Sequence, residues 1–333
     1  AQAHVRWMPG SLREVLNAGP GFYTYAPSVI ASPGRQLIWT CHNRQPYVIR
    51  DHIYLSQVVG HKVRRNTVAL GPDAADTWDS FHICDPSVVA GRFHYRGRPY
   101  RYALFFLGND VNASANNQVG VAFSNSLYGG WVRYPDPIVS YPNTGAWGVG
   151  QPSAVSLDRA GRVLLFYTHG ASDGTYGARR VLDLRDMSHP RIGPEAKVPT
   201  AGLTRTDGKQ DLLNNFDVAY DPSRARFYAI RAQHPNPTDN PRYIVSSVQL
   251  VSIPARAIWT GHGTWRAEGA ITPGLTGLPR NHNAGLVRTL YGWLPSRHAV
   301  TVAFTSSCAA SSCPSTGPLY TYHLWEVTGH LSN

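Results

Sequence analysis

Lysine and glutamate are scarce in this chain of 333 residues, with three Lys (Lys62, Lys197, Lys209) and four Glu (Glu14, Glu195, Glu268, Glu326). Charged residues make up 15% against 42% hydrophobic, which excludes the charge-rich, core-poor composition of a disordered chain. No apolar run approaches the roughly 20 residues that span a bilayer, so no membrane partner is expected. No HExxH or HxH spacing occurs among the 14 His, so metal catalysis by His42, His169, His234 and His282 has no motif behind it. The net charge of +11 comes almost wholly from arginine, since 31 basic residues less three Lys leaves 28 Arg. The densest basic stretch is "HKVRR" (61–65), too short to indicate nucleic-acid recognition. The diffuse positive field favours an anionic ligand in general terms.

Cysteine is also sparse, and none of Cys41, Cys84, Cys308 and Cys313 has a CxxC spacing, which argues against zinc and thioredoxin chemistry. "CAASSCPSTGP" reads as a small loop closed by Cys308–Cys313. By elimination Cys41 pairs with Cys84, unless all four are free thiols. Disulfides imply an oxidising compartment. The opening "AQA", without an initiator Met, fits a mature product whose leader was removed. The expected location is therefore secreted, extracellular or periplasmic.

What the chain does have is repetition. "YAPSVIASPGRQLIWTC" (25–41), "CDPSVVAGRFHYRGRPYRYALFFLG" (84–108) and "GQPSAVSLDRAGRVLLFYTHG" (150–170) share Pro-Ser, an apolar run, a Gly/Arg turn and a β-prone run. Looser copies are "NFDVAYDPSRARFYAIRAQH" (215–234) and "NHNAGLVRTLYGWLPSRHAVTVAFTSS" (281–307). Aligning the residue before each Pro-Ser gives Ala26, Asp85, Gln151, Asp217 and Asn283, at steps of 59, 66, 66 and 66. Each hairpin is followed by another alternating segment, and Trp131 and Trp265 open outer strands. The predicted fold is all-β: one five-bladed β-propeller domain over 1–333, with blades starting near 25, 84, 150, 215 and 281. A two-sheet sandwich does not predict a constant step. "SLREVLNAG" (11–19) is expected to form a short N-terminal helix, with a Ser11/Glu14 capping box and Gly19 at its end. "HVRW" (4–7) is expected to supply an outer strand closing the last blade.

In a propeller, first-strand starts and second-strand ends open on one face of the central channel. This gathers Ala26, Asp85, Gln151, Asp217 and Asn283, with His282 beside them, and a second set of His42, Asp110, His169 and His234. Asp before Pro is also a common turn dipeptide, so Asp85 alone has a bland reading. Asp85 and Asp217, at one repeat position two blades apart, form a constellation. His282 could equally bond a channel water or carbonyl. Asp73, Asp76 and Asp79 in "GPDAADTWDS" read as a solvated loop, from which Trp78 could serve as a sugar platform.

"CDPSVV", its aromatic hairpin and "NNQVGVAFSNSLYGGWVRYPDPIV" (116–139) resemble the five-bladed propeller glycoside hydrolases of the arabinanase/xylosidase and neoagarobiose hydrolase-like families. The resemblance implies Asp85 as general base, Asp217 as the carboxylate that tunes and orients the acid, and the acid at 282–283. Those families more commonly have Glu there. None of the four Glu here begins a first strand, and His282 is the residue available, as in the neoagarobiose hydrolase-like enzymes. The implied activity is inverting hydrolysis of a poly- or oligosaccharide, with Gln151, Asn283, His42, Arg44, Asp110, His169, His234 and Trp78 contacting substrate. No cofactor is required, although Asp, Asn and Gln oxygens would suit a structural Ca²⁺. The chain is read as a monomer. The competing reading is a non-catalytic carbohydrate-binding propeller, favoured by 18 Tyr and 9 Trp but opposed by channel positions that differ from blade to blade. Arg44 and Arg231 at the mouth would favour an acidic or sulfated glycan.

Overall fold

The two-residue turns of the repeats determine the pairing. Arg96 and Gly97 both take positive φ (51° and 73°), the handedness that joins twisted antiparallel strands without splaying them. In the computed structural model, which describes residues 4–332, every repeat is an antiparallel meander. The first runs through Thr24–Ser32, Arg35–Asn43, Asp51–Val59 and Lys62–Leu70, and the second through His82–Tyr95, Arg98–Asn109, Gln118–Ser124 and Val132–Arg133. The third holds Gly148–Ser156, Arg162–Ala171, Gly174–Asp183 and Arg191–Ile192; the fourth holds Phe216–Asp221, Arg226–Gln233, Ser247–Pro254 and Arg266–Ile271. The last comprises Arg280–Arg288, Ala299–Ser307, His323–Leu331 and, from the other end of the chain, Val5–Leu16. Among the described residues two short α-helices, Ala255–Thr260 and Pro273–Thr276, lie outside the sheets, and no helix is long and apolar enough to cross a membrane.

The predicted helix at 11–19 is instead part of a strand. Glu14 pairs with Trp325 and Leu16 with Leu324. The Ser11 hydroxyl accepts the Thr328 amide (2.9 Å) rather than capping a helix. The outer edge of His323–Leu331 needs a ladder partner, and that tertiary demand overrides a capping box in a short segment. The closing role expected of residues 4–7 is real for Val5–Trp7, which pair with Leu331–Gly329.

Successive meanders pack face to face. Separate apolar clusters fill the spaces between the first and second (Trp39, Leu104, Phe106), second and third (Phe105, Phe123, Leu165), third and fourth (Phe166, Phe227, Val251), and fourth and fifth (Ile230, Leu250, Phe304). A fifth cluster joins the last meander back to the first through Val29, Ile38, Val287 and Leu324. That circuit is the closed ring of a β-propeller, and we read each meander as one blade. Second strands are buried on both faces, which is why "YALFFLG" reads as an unbroken apolar run, whereas the outer Lys62–Leu70 is almost wholly exposed.

The Pro-Ser signal has a structural cause. The hydroxyl of each motif serine accepts an amide of the next inner strand: Val88 N on Ser28, Ala154 N on Ser87 (3.0 Å) and Val218 N on Ser153 (2.9 Å). In the fourth meander Asp217 takes this place, with Leu286 N donating to its Oδ2 (2.8 Å). Position 285 is glycine because a Cβ there would lie 2.3 Å from Pro27 O.

Arg288, at the end of the last inner strand, is buried at the ring's centre. Its Nη1 donates to Ala154 O (2.9 Å) and Val218 O (2.7 Å), and its Nη2 faces Ser87 Oγ and Val88 O. The turn that follows bonds Ala90, Ser156 and Tyr220 of three other inner strands, so one end of the channel is floored. Arg288→Met would leave two buried carbonyls unpaired and the neighbouring Asp217 charge uncompensated. The expected loss is about 3–5 kcal/mol of unfolding free energy in urea titrations; a loss under about 1 kcal/mol would show the anchor to be dispensable.

Candidate active site

At the open end, five non-glycine residues stand in the left-handed region: Ala26 (φ 54°), Asp85 (49°), Gln151 (54°), Asn215 (46°) and Asn283 (42°). All five line the narrow centre of the channel. In four of the five strands the ladder skips this residue and the one after it, as between Cys84 and Ser87. Such conformations cost energy for Ala and Gln, and their concentration in one ring marks a site. The ring also corrects the alignment. Asn215, not Asp217, is the fourth equivalent of Asp85. Asp217 lies two residues further along, equivalent to the motif serines, where Ser153 Oγ donates to its Oδ1 (2.6 Å) and Leu286 N to its Oδ2. Sequence spacing hid this because "NFD" replaces "DPS" and carries its acid two motif positions later, at the place of the serine.

Asp85 opens onto a cavity of about 550 Å³ lined by Tyr25, Asp51, His82, Gln151, Asn283 and Tyr322, among others. The Cys41–Cys84 disulfide (Cα–Cα 5.0 Å) fixes it from behind, with Cys41 Sγ 3.0 Å from the Asp85 amide. Both expected disulfides are present, Cys308–Cys313 being the other. Among the described residues the one cluster of His, Cys, Asp or Glu with metal-ligand spacing is Cys41, Cys84 and Asp85, and its two sulfurs are spent on the disulfide.

Asp51, absent from the sequence-based constellation, is the second carboxylate of this cavity. The Tyr23 and Tyr25 hydroxyls donate to its two oxygens. His82 accepts the Asp51 amide at Nδ1 (3.0 Å), which places its ring proton on Nε2. Asp51 begins a third strand, and third-strand starts share the face of second-strand ends (Asn43 pairs with Asp51), the signal that could have found it. Although its side chain meets solvent through the cavity, Asp85 lies deep in the molecule. Burial, and then the charge of Asp51, push its carboxyl up to about 7.

His282 lies in an adjoining pocket of about 210 Å³, which shares Gln151, Asn283, Tyr243 and Tyr322 with the main cavity. It is 4% exposed and packs edge-on against Tyr322 at 4.7 Å, and neither ring nitrogen makes a well-aligned hydrogen bond, the Thr305 backbone being the protein group beside it. Burial lowers its pKa to about 3, so at neutral pH it holds no proton to give as an imidazolium.

The other expected contacts disperse. His234 borders the His282 pocket and bonds Asp211 Oδ1 at 2.7 Å. His42 stacks on Tyr54 (4.0 Å), and His169 stacks on Tyr176 and bonds Asp173 (2.8 Å). Asp110 is exposed, outside the cavity lining. Arg44 lines a separate pocket of about 330 Å³ with Arg50 and His52. Arg231 is fully buried, paired with Asp211 at 2.7 Å, and so cannot reach a mouth ligand. Trp78 stacks on Phe106 over Gly108 and Gly120, and its Nε1 donates to Pro135 O (3.0 Å), so it packs a blade instead of presenting a platform. Asp79 is not solvated: it is buried against Arg133 (2.7 Å).

No family model matches this chain, and no curated protein matches its sequence. Its fold is similar to that of Zg3597, a family 117 glycoside hydrolase produced by the marine bacterium Zobellia galactanivorans, with a TM-score of 0.64 and 11% identity over 98% of this chain and 91% of that one. It is also similar to the α-L-arabinofuranosidase PaAbf62A from Podospora anserina (TM-score 0.59, 10% identity, 96% and 94% covered). A third similar structure is a GH43_1 enzyme from Xanthomonas citri (0.58, 13%, 95% and 89%). These likenesses establish the propeller fold.

Because the folded Asp85 takes up its proton at higher pH than the unfolded chain, the folded state loses stability as pH rises from about 4 to about 7. Asp85→Asn cannot ionise, so its melting temperature should gain on the wild type as pH rises, with a larger difference at pH 8 than at pH 5. A difference independent of pH would mean that the carboxyl titrates as an ordinary surface group.

Proposed function

We propose that the protein is a glycoside hydrolase that cleaves a poly- or oligosaccharide at the Asp85 cavity, with Asp85 as the general base that activates water. The observation that carries this reading is a carboxyl raised to about 7 by burial and Asp51, on strained backbone, in the lining of an aromatic and polar cavity. A base works best when its pKa lies near the working pH. Fold similarity to three glycoside hydrolases supports the class. In this reading Asp51 holds the tuning role first expected of Asp217, which serves as an inter-strand acceptor beside Arg288. His282, neutral and beside the Thr305 backbone, offers its ring to sugar hydroxyls in the adjoining pocket rather than acting as the acid. Direct attack by water, whose proton passes to Asp85, inverts the anomeric centre; the departing sugar oxygen takes a proton from solvent in the cavity, to which Asp85 returns its own. The chemistry needs no cofactor, and the two disulfides suit an extracellular or periplasmic location.

The test is a reducing-sugar screen of plant, algal and bacterial polysaccharides, followed by Asp85→Asn on whichever is cleaved. Turnover should fall by roughly 10³-fold, and wild-type kcat/KM should rise to a plateau above about pH 7. Unchanged turnover in the variant would refute the assignment. A carbohydrate-binding propeller would instead bind glycans, with wild type and variant equally inert.

A further inference from the structure

A second concavity adjoins the Asp85 cavity. It is an open groove of about 860 Å³ between the 141–147 loop and the 168–175 hairpin. Trp147 and Gln151 line both spaces, so the groove continues the cavity sideways over the third meander. Trp147 forms the divide and is rigidly placed. Its carbonyl accepts the Asn117 amide (2.9 Å), and its ring lies against Gly150 and Gly170, where an added Cβ would come within 3.1 and 3.2 Å of it. The ring also packs on the cluster of Cys41, Cys84 and Leu107, which ties it to the disulfide behind Asp85.

The lining has a definite chemistry. In a chain of net charge +11, none of the groove residues is charged. Tyr141 and Trp147 supply aromatic surface, Thr168 and Thr175 hydroxyls, and Gln151 and Asn214 amides. At the junction, Gln151 Oε1 and Asn214 Oδ1 are buried acceptors without a protein partner, a costly arrangement unless a ligand donor meets them. The wall on the first meander differs. Ile49 and Asp51 face the cavity, while the alternate residues Val48, Arg50 and His52 turn to the basic pocket beside Arg44.

We infer that the substrate is a chain of uncharged sugars that continues from the Asp85 cavity past Trp147 into this groove, with hydroxyls donating to Gln151 and Asn214. This rests on the hydrolase reading for the position of the scissile bond. It makes the enzyme selective for chain length and for neutral glycans, since neither an aromatic face nor an amide acceptor favours a carboxylate or sulfate.

Full-length Asp85→Asn protein is titrated calorimetrically with neutral xylo-, arabino- and agaro-oligosaccharides of two to six units and with oligogalacturonates. The wild type is assayed on the same series. Affinity and kcat/KM for one neutral series should climb about tenfold from two units to four or more, the worth of one added subsite. Ala171→Trp and Ser172→Trp, which fill the groove from its rim, should each lower the ratio of long-chain to short-chain kcat/KM by about tenfold. Equal values at all lengths, an unchanged ratio in both variants, no binding by any neutral series, or preference for oligogalacturonates would each overturn the groove assignment. Length-dependent binding without hydrolysis would sustain the groove and sink the hydrolase; length-independent hydrolysis would do the reverse.

Discussion

A buried guanidinium holds this ring together. Arg288 comes from the last inner strand and is spent on carbonyls of two other strands, with a third strand's Ser87 and Val88 in reach. A charge without solvent is stable only where its donors are met, so the inner strands must stand at the spacing that one planar fork can bridge. Asp217 contributes the compensating charge and the fourth link in the series of side-chain acceptors that stitches each inner strand to the next. With the 289–294 turn beneath it, this anchor closes one end of the channel and leaves a single mouth.

The site follows from that asymmetry. Five left-handed residues face the mouth, but only one of them is an acid, and beneath it lies a disulfide instead of a mobile loop. Asp85 is thereby kept in a deep, rigid place where the charge of Asp51 opposes its own. Asp51 has two tyrosine hydroxyls to stabilise its charge, whereas burial opposes the charge of Asp85 and the Gln151 amide only partly offsets that. The same rigidity extends to Trp147, so the cavity and the neutral groove are two parts of one preformed surface.

Repetition made the architecture legible because every meander solves the same packing problem with the same local chemistry: a turn, a hydroxyl acceptor, and a strand buried on both faces. Outer strands begin one residue after Trp131 and Trp265, as their pattern indicates. Where one repeat substitutes another chemistry the spacing misleads, and Asp217 for serine displaced the fourth channel position by two residues. Individual side chains were less legible still. Trp78, Arg231 and Asp79 have the composition of a binding rim, but each is consumed by a neighbour distant in sequence: Phe106, Asp211 and Arg133.

By itself the sequence determined the all-β ring, the two disulfides and Asp85 as a mouth residue, because hydrophobic period, turn residues and repeat length are local properties that leave a written pattern. The tertiary structure decided that residues 5–16 are a strand, that Asp51 rather than Asp217 shares the cavity, that His282 is neutral, and that an arginine closes the channel. Each of these depends on a partner from another repeat, such as a ladder edge, a charge brought close through space, or a desolvating wall. None of those partners is visible in the spacing of residues along one chain.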